Sequence, residues 1–220
     1  MSSNINCILF DLDGTLIDTS QLIIDSYQYT LKKHLNIEVP SSEIALTMGR
    51  PLVEILGSYS QKQQAEMVRT YREYNEARHD AATSLIPGVM ETLEALTEEG
   101  ITLGVVTGKR RQLAMRGMQL FGIDAYMQAI VTPEDTMLHK PNPEPILKAL
   151  ELLEQSPEET IMVGDSPVDL QTAHSAGTLS AAVLWSVAPR KQLLAARPDF
   201  LLNQMTELID ICLEPQRAHA

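Results

Sequence analysis

Cysteine is scarce in this chain: two occur in 220 residues, Cys7 entering an apolar run and Cys212 in an apolar stretch near the C-terminus, with no CxxC pair. A disulfide framework or thiolate metal site is therefore excluded as an organising feature, and two buried, reduced thiols are expected. Long hydrophobic runs are also missing. No stretch reaches the ~18 consecutive apolar residues that a membrane helix needs, and the opening MSSNIN has neither a basic nor a hydrophobic segment. The expectation is a soluble, cytoplasmic protein. Positive charge is in deficit, with 17 Lys and Arg against 29 Asp and Glu and a net charge of −12. That argues against nucleic acid and anionic membranes as partners, and no protein partner is evident. An anionic substrate must then be drawn in by local cations.

Apolar runs rich in Ile, Val and Leu alternate with longer amphipathic stretches. Candidate strands are Cys7–Phe10, 101–106, Ala129–Val131, 160–163 and 179–184, with a short one at 200–201; helical spacing occupies 111–121, Glu144–Leu153 and 168–176. Near-continuously apolar strands separated by helices predict an α/β fold with a doubly wound parallel sheet of Rossmann-like type. About ninety residues between the first two strands break the rhythm and read as helix throughout. Leu22, Ile23, Ser26, Tyr27, Thr30 and Leu31 share one face of Ser20–Leu35, and residues 61–79 form a second helix. The expected organisation is an α/β core from 1–15 and 87–220 with an all-helical cap inserted at 16–86.

Ligands of open parallel sheets bind beyond the carboxyl ends of the strands. There this sequence reads DLDGT at 11–15, VVTGK at 105–109, VTPEDTMLHKPNPEP at 131–145 and VGDSPVD at 163–169. Asp11 and Asp13, two apart, would crowd each other on a continuing strand, while Gly14 permits the backbone to leave it sharply. With Asp165 and Asp169 they make four carboxylates at two strand ends, an all-oxygen set suited to a hard cation such as magnesium. Thr107 offers a hydroxyl and Gly108 an open backbone N–H to phosphoryl oxygens at a helix start. Lys109, Arg110 and Arg111 place three cations where a helix dipole disfavours them, for which a nearby anion is one reason and simple solvation the other. Lys140, stiffened by the prolines that follow, is the first choice for neutralising phosphate and a nucleophile, with Lys109 second. Ser166 fits a plain helix N-cap.

These motifs, in this order and spacing, resemble the haloacid dehalogenase (HAD) superfamily of phosphotransferases over essentially the whole chain. The features YREYN, HD at 79–80, WSV at 185–187 and PDFLL at 198–202 are similar to the bacterial HAD-type inorganic pyrophosphatases and the related phosphoglycolate phosphatases. The resemblance implies that Asp11 is the nucleophile forming an aspartyl-phosphate and Asp13 the general acid and base. It implies that Thr107 and Lys140 hold the phosphoryl group. Magnesium would be ligated by Asp165, the Asp11 carboxylate and the Asp13 main-chain carbonyl, while Asp169 acts mostly through neighbouring groups. In MGRPL, Arg50 lies between a flexible glycine and a stiff proline, a setting that suits either a grip on the far end of a substrate from the cap or a solvent-exposed, salt-bridged arginine.

The expected activity is magnesium-dependent hydrolysis of a small phosphorylated substrate, first of all inorganic pyrophosphate. Phosphoglycolate or another small phosphomonoester is the alternative, and a cap-bearing sugar phosphomutase the second. A signalling receiver domain shares the acceptor aspartate, threonine and lysine, but it is shorter, lacks a cap and has no acid two residues after the acceptor. A catalytically dead fold used as a binding module is opposed by the intact Asp11, Asp13, Lys140 and Asp165.

Overall fold

All four side chains of the first strand, β1 (Cys7–Phe10), are buried, and alternation explains why each is apolar. Ile8 and Phe10 enter one hydrophobic cluster while Cys7 and Leu9 enter another, so both faces of the strand are covered. The structure, a computed structural model, describes residues 5–217. Beyond β1 the chain makes a tight turn in which the Leu12 carbonyl accepts bonds from the Leu16 and Ile17 amides at 3.0 and 3.1 Å. It then enters β2 (Ile17–Asp18), α1 (Ser20–Leu35), α2 (Ser41–Ala45), α3 (Leu52–Tyr59) and α4 (Gln64–Arg78), and returns through β3 (Ser84–Leu85).

The interval is thus not helical throughout. Its two ends pair as antiparallel strands, Ile17 opposite Leu85 and Asp18 opposite Ser84, a contact between residues far apart in sequence that helical spacing does not encode. Within it, Ile24, Tyr27, Leu31, Ile55, Leu56 and Met67 build a separate apolar cluster. The Tyr27 and Tyr71 rings lie 4.7 Å apart where α1 meets α4. Ile24 is buried on α1, whereas Ile23, expected on the buried face, is half-buried and borders a cavity instead.

The remaining chain supplies α5 (Val89–Glu98), β4 (Thr102–Val106), α6 (Arg111–Gln119), β5 (Ala129–Val131), α7 (Glu144–Leu153), β6 (Thr160–Gly164), α8 (Pro167–Ala176), β7 (Leu179–Val183), α9 (Arg190–Ala195), β8 (Phe200–Leu202) and α10 (Glu207–Arg217). The main sheet is six-stranded and parallel, ordered β5-β4-β1-β6-β7-β8. Helices α5, α6 and α10 contribute Leu93, Met118 and Leu208 to the cluster on one face; α7 and α8 contribute Ile146 and Ala173 to the cluster on the other. Cys7 and Cys212 are buried free thiols, as expected. No helix among the described residues is long and apolar enough to cross a membrane.

Register converts this topology into a site. Phe10 is level with Val105 on one side and Val163 on the other, so the residues just beyond, Asp11, Thr107 and Asp165, emerge at one edge. The chain leaves β1 for β4 and β5, then crosses to β6 on the opposite side, which makes that edge a topological switch point.

Gly14 completes the turn at φ 79°, and a Cβ there would lie 2.4 Å from Asp165 Oδ2. The position therefore demands glycine both for backbone conformation and for closeness to a carboxylate. Gly14→Ala is expected to cost about 1–2 kcal/mol in backbone strain alone, roughly 2–8 °C in Tm for a chain of this size. It should also displace Asp165. Thermal unfolding beside an activity assay checks this, and an unchanged Tm would mean that the turn relaxes freely.

Candidate active site

Asp11 is held from both directions. Its amide donates to the Val163 carbonyl at 2.8 Å, and its Oδ1 accepts from Lys140 Nζ at 2.8 Å. The same ammonium donates to Asp169 Oδ1 at 2.5 Å and to the Val106 carbonyl at 2.9 Å. Its three N–H donors are thereby occupied. Lys140 is thus placed on the Asp11 carboxylate, and a phosphoryl oxygen would have to share or replace one of these bonds.

Asp169 is equally engaged. Besides Lys140 it accepts from the Ser166 amide at 3.1 Å and the Ser166 hydroxyl at 2.6 Å through Oδ2. Ser166 and Asp169 form a reciprocal capping box at the start of α8, as expected of Ser166 as an N-cap. Asp165, from the end of β6, receives Ser186 Oγ on its carbonyl at 2.6 Å and on Oδ2 at 3.3 Å.

Oxygens of Asp11, Asp165 and Asp169 lie within 4.8 Å of one another, all three residues buried. Burial pushes the Asp11 carboxyl up to about 7, opposed by Lys140 and reinforced by Asp169. Asp165 is raised well above the usual carboxylate range, by burial first and then by Asp169 and Asp11. Burial alone works against the Lys140 ammonium, but Asp11 and Asp169 outweigh it and hold the group charged. Three acids against one ammonium leave a deficit of about two positive charges, and every donor is a hard oxygen. The set fits a divalent cation of the magnesium type.

Asp13 belongs to a different set of partners. Its Oδ1 accepts from Lys109 Nζ at 2.6 Å and from Thr19 Oγ1 at 2.7 Å, so Lys109, second choice for phosphate, pairs with an acid. Thr19 was not foreseen, since nothing in local spacing marks a threonine six residues beyond an acid as its partner. Thr107 caps β4 with its hydroxyl accepting from the Lys109 amide at 3.1 Å. Gly108 is exposed, and a Cβ there would meet nothing within 4 Å, so only its open backbone distinguishes the position.

The basic turn has a simpler cause than a bound anion. Arg111 pairs with Asp135 at 2.5 Å, and Arg110 approaches Glu76 at 3.7 Å and Glu134 at 3.8 Å. The solvated reading of both arginines is nearer the structure, with carboxylates as their counter-ions.

A cavity of 400 Å³ is lined by Asp11, Asp13, Thr107, Lys140 and Asp165 and also by Arg50 of the helical unit. Arg50 is half-exposed and reaches only Glu54, at 3.9 Å. Gly49 before it adopts φ 83°, and a Cβ there would lie 2.5 Å from Ser166 Oγ. The loop carrying Arg50 therefore rests directly on the start of α8.

The chain is similar to known proteins over most of its length. A sequence model of haloacid dehalogenase-like hydrolases matches residues 8–183. A protein of Caldanaerobacter subterraneus subsp. tengcongensis named "Putative pyrophosphatase PpaX" is 49% identical over 94% of this chain and 94% of its own length. Pyrophosphatase PpaX of Anoxybacillus flavithermus is 40% identical over 94% of this chain and 97% of its own. Among solved structures, a haloacid dehalogenase-like family hydrolase of Streptococcus pneumoniae superposes with a TM-score of 0.84 at 29% identity, covering 94% of this chain and 97% of that one.

Saturating magnesium is expected to raise Tm, because an ion bound only by the folded chain stabilises it, by about 2.7 kcal/mol at a hundredfold excess over Kd. Asp165→Asn should abolish most of that rise. Calorimetry with and without the ion tests the acidic cluster independently of turnover; an equal rise in the variant would place the ion elsewhere.

Proposed function

This chain belongs to the haloacid dehalogenase-like hydrolases, and from that membership we propose that it hydrolyses inorganic pyrophosphate to phosphate through an aspartyl-phosphate on Asp11. The observation that carries the reading is the 49% identity, across nearly the full length of both chains, to a protein named as a pyrophosphatase. The chain is an enzyme of the phosphatase type; the substrate and the steps below are the proposed part.

Asp11, buried at the tip of β1 with Lys140 on one oxygen, attacks phosphorus, forming an Asp11 O–P bond as the bond to the leaving phosphate breaks. Asp13 gives its proton to the departing oxygen. In the second half Asp13 takes a proton from the water that attacks the aspartyl-phosphate, releasing phosphate and restoring Asp11. Thr19 and Lys109 fix the direction of the Asp13 carboxylate. Thr107, the Gly108 amide and Lys140 hold the transferring phosphoryl group. Asp169 acts by orienting Lys140 and closing the capping box. Magnesium, held by Asp11, Asp165 and the Asp13 main-chain carbonyl, would supply charge compensation between carboxylates and phosphoryl oxygens. The helical unit from 16–86 acts as the cap, and Arg50 presents a cation to the leaving group.

A second reading, a phosphomonoesterase for phosphoglycolate or a similar small ester, is favoured by the cavity itself. Its 400 Å³ exceeds what a diphosphate fills, and Ile23, Met48 and Leu52 give it apolar walls.

Two experiments decide. Values of kcat/KM for pyrophosphate, phosphoglycolate and sugar phosphates should favour pyrophosphate by about 10-fold or more, the worth of one added charge-assisted contact; the reverse order selects the second reading. Asp11→Asn should abolish turnover with the fold intact by circular dichroism, while Asp13→Asn loses on the order of 100-fold or more. Near-normal rates from the Asp11 variant would eliminate the covalent route.

A further inference from the structure

We propose that Arg72, on α4, is a specificity-determining residue that reads negative charge on the leaving group. The proposal rests on the phosphohydrolase reading above and adds the group that distinguishes a diphosphate from an ester with an uncharged leaving group.

The argument starts from how the cations around the cavity are employed. Arg50, Arg72, Lys109, Arg110, Arg116 and Lys140 all border it. Lys140 is committed to Asp11 and Asp169, and Lys109 to Asp13. Arg116 pairs with Asp80 at 2.7 Å, Arg110 lies 3.7 Å from Glu76, and Arg50 lies 3.9 Å from Glu54. Arg72 alone of the six has no hydrogen-bond or ion-pair partner among the described residues. It is also half-buried. An arginine partly withdrawn from water with no counter-charge is a poor arrangement that an arriving anion would improve.

Its mounting is rigid. Arg72, Asn75 and Glu76 follow i, i+3, i+4 spacing and all border the cavity. Asn75 is buried and donates to Ser26 Oγ on α1 at 3.1 Å. The Glu76 carbonyl accepts from Arg116 of α6 at 3.2 Å. Tyr71, next to Arg72, packs its ring on Tyr27. Thus α4 is braced on both sides of Arg72, and the guanidinium stands on a wall whose position is set before substrate enters. A planar fork of N–H donors matches two oxygens of a phosphate or carboxylate.

Chemistry selects the ligand class. At the floor, acids already occupy Lys140 and Lys109, so the far end of a substrate finds Arg72 free and Arg50 weakly paired. The ligand is a phosphoryl compound whose leaving group is itself an anion: a second phosphate, or a carboxylate one or two atoms from the ester oxygen.

The test measures kcat/KM of wild type, Arg72→Ala and Arg72→Lys on pyrophosphate, phosphoglycolate and p-nitrophenyl phosphate. Arg72→Ala should lower kcat/KM for the two substrates with anionic leaving groups by about 10-fold or more, mainly through KM. The aryl ester should change less than threefold. Arg72→Lys should recover part of the loss, since the charge returns without the fork. Equal losses on all three substrates would show that Arg72 merely shapes α4, and no loss on either anionic substrate would return it to the solvated surface; both overturn the proposal. If wild type fails to hydrolyse pyrophosphate, the pyrophosphatase reading falls by itself, and the ratio of phosphoglycolate to aryl ester still judges Arg72.

Discussion

The Lys140 ammonium is the contact on which the rest of the site depends. Three buried carboxylates within 4.8 Å of one another would, without a counter-charge, take up protons or push apart. Lys140 binds two of them and the Val106 carbonyl besides, so one group ties together the ends of β1 and β4 and the first turn of α8. The geometry of the acids is consequently a property of the sheet, not of a loop. Parallel register brings Asp11, Thr107 and Asp165 to the same edge, and the ammonium makes their proximity tolerable.

The helical unit meets this edge through several kinds of contact. The short β2–β3 pairing joins its entry and exit, Gly49 rests against Ser166, and Arg116 of α6 grips both Asp80 and the end of α4. His79 is buried at the same junction, its imidazole pushed toward the neutral form by burial and then by Lys109. The junction is therefore polar and paired at its rim, while Ile23, Met48 and Leu52 keep the cavity walls apolar. The cavity lies between two surfaces that already hold each other in place.

Much of this was legible in the sequence, because the relevant signals are local. Cys7–Phe10, Ala129–Val131 and Glu144–Leu153 have the bounds that apolar runs and helical spacing predict, and the acids fall at strand ends because strands of this kind stop where the chain turns polar. What escaped was non-local. The β2–β3 pair joins residues separated by the whole helical unit, and each partner strand is two residues long, too short for any periodicity. The burial of Ile24 in place of Ile23 turns on one step of helix phase. Lys109 reached Asp13 because a long flexible side chain can span the gap between two strand ends, which spacing along the chain cannot reveal. Arg110 and Arg111 were ambiguous for the same reason: their partners Glu76, Glu134 and Asp135 come from other elements.

The division of cations between floor and wall bears on how such a site discriminates. In the proposed reaction Thr107, Gly108 and Lys140 would meet the same PO₃ in every substrate, so whatever they contribute is shared and cannot separate one leaving group from another. On that proposal discrimination falls to residues that see the remainder of the molecule, and Arg50 and Arg72 of the helical unit border the same cavity. A net charge of −12 sharpens the requirement, since an anion approaching the protein is repelled overall and depends on local cations. With the floor lysines engaged by carboxylates, the arginines of the wall are the cations that the proposal assigns to an anionic leaving group. On this proposal the core keeps one chemistry while the helical unit sets the substrate.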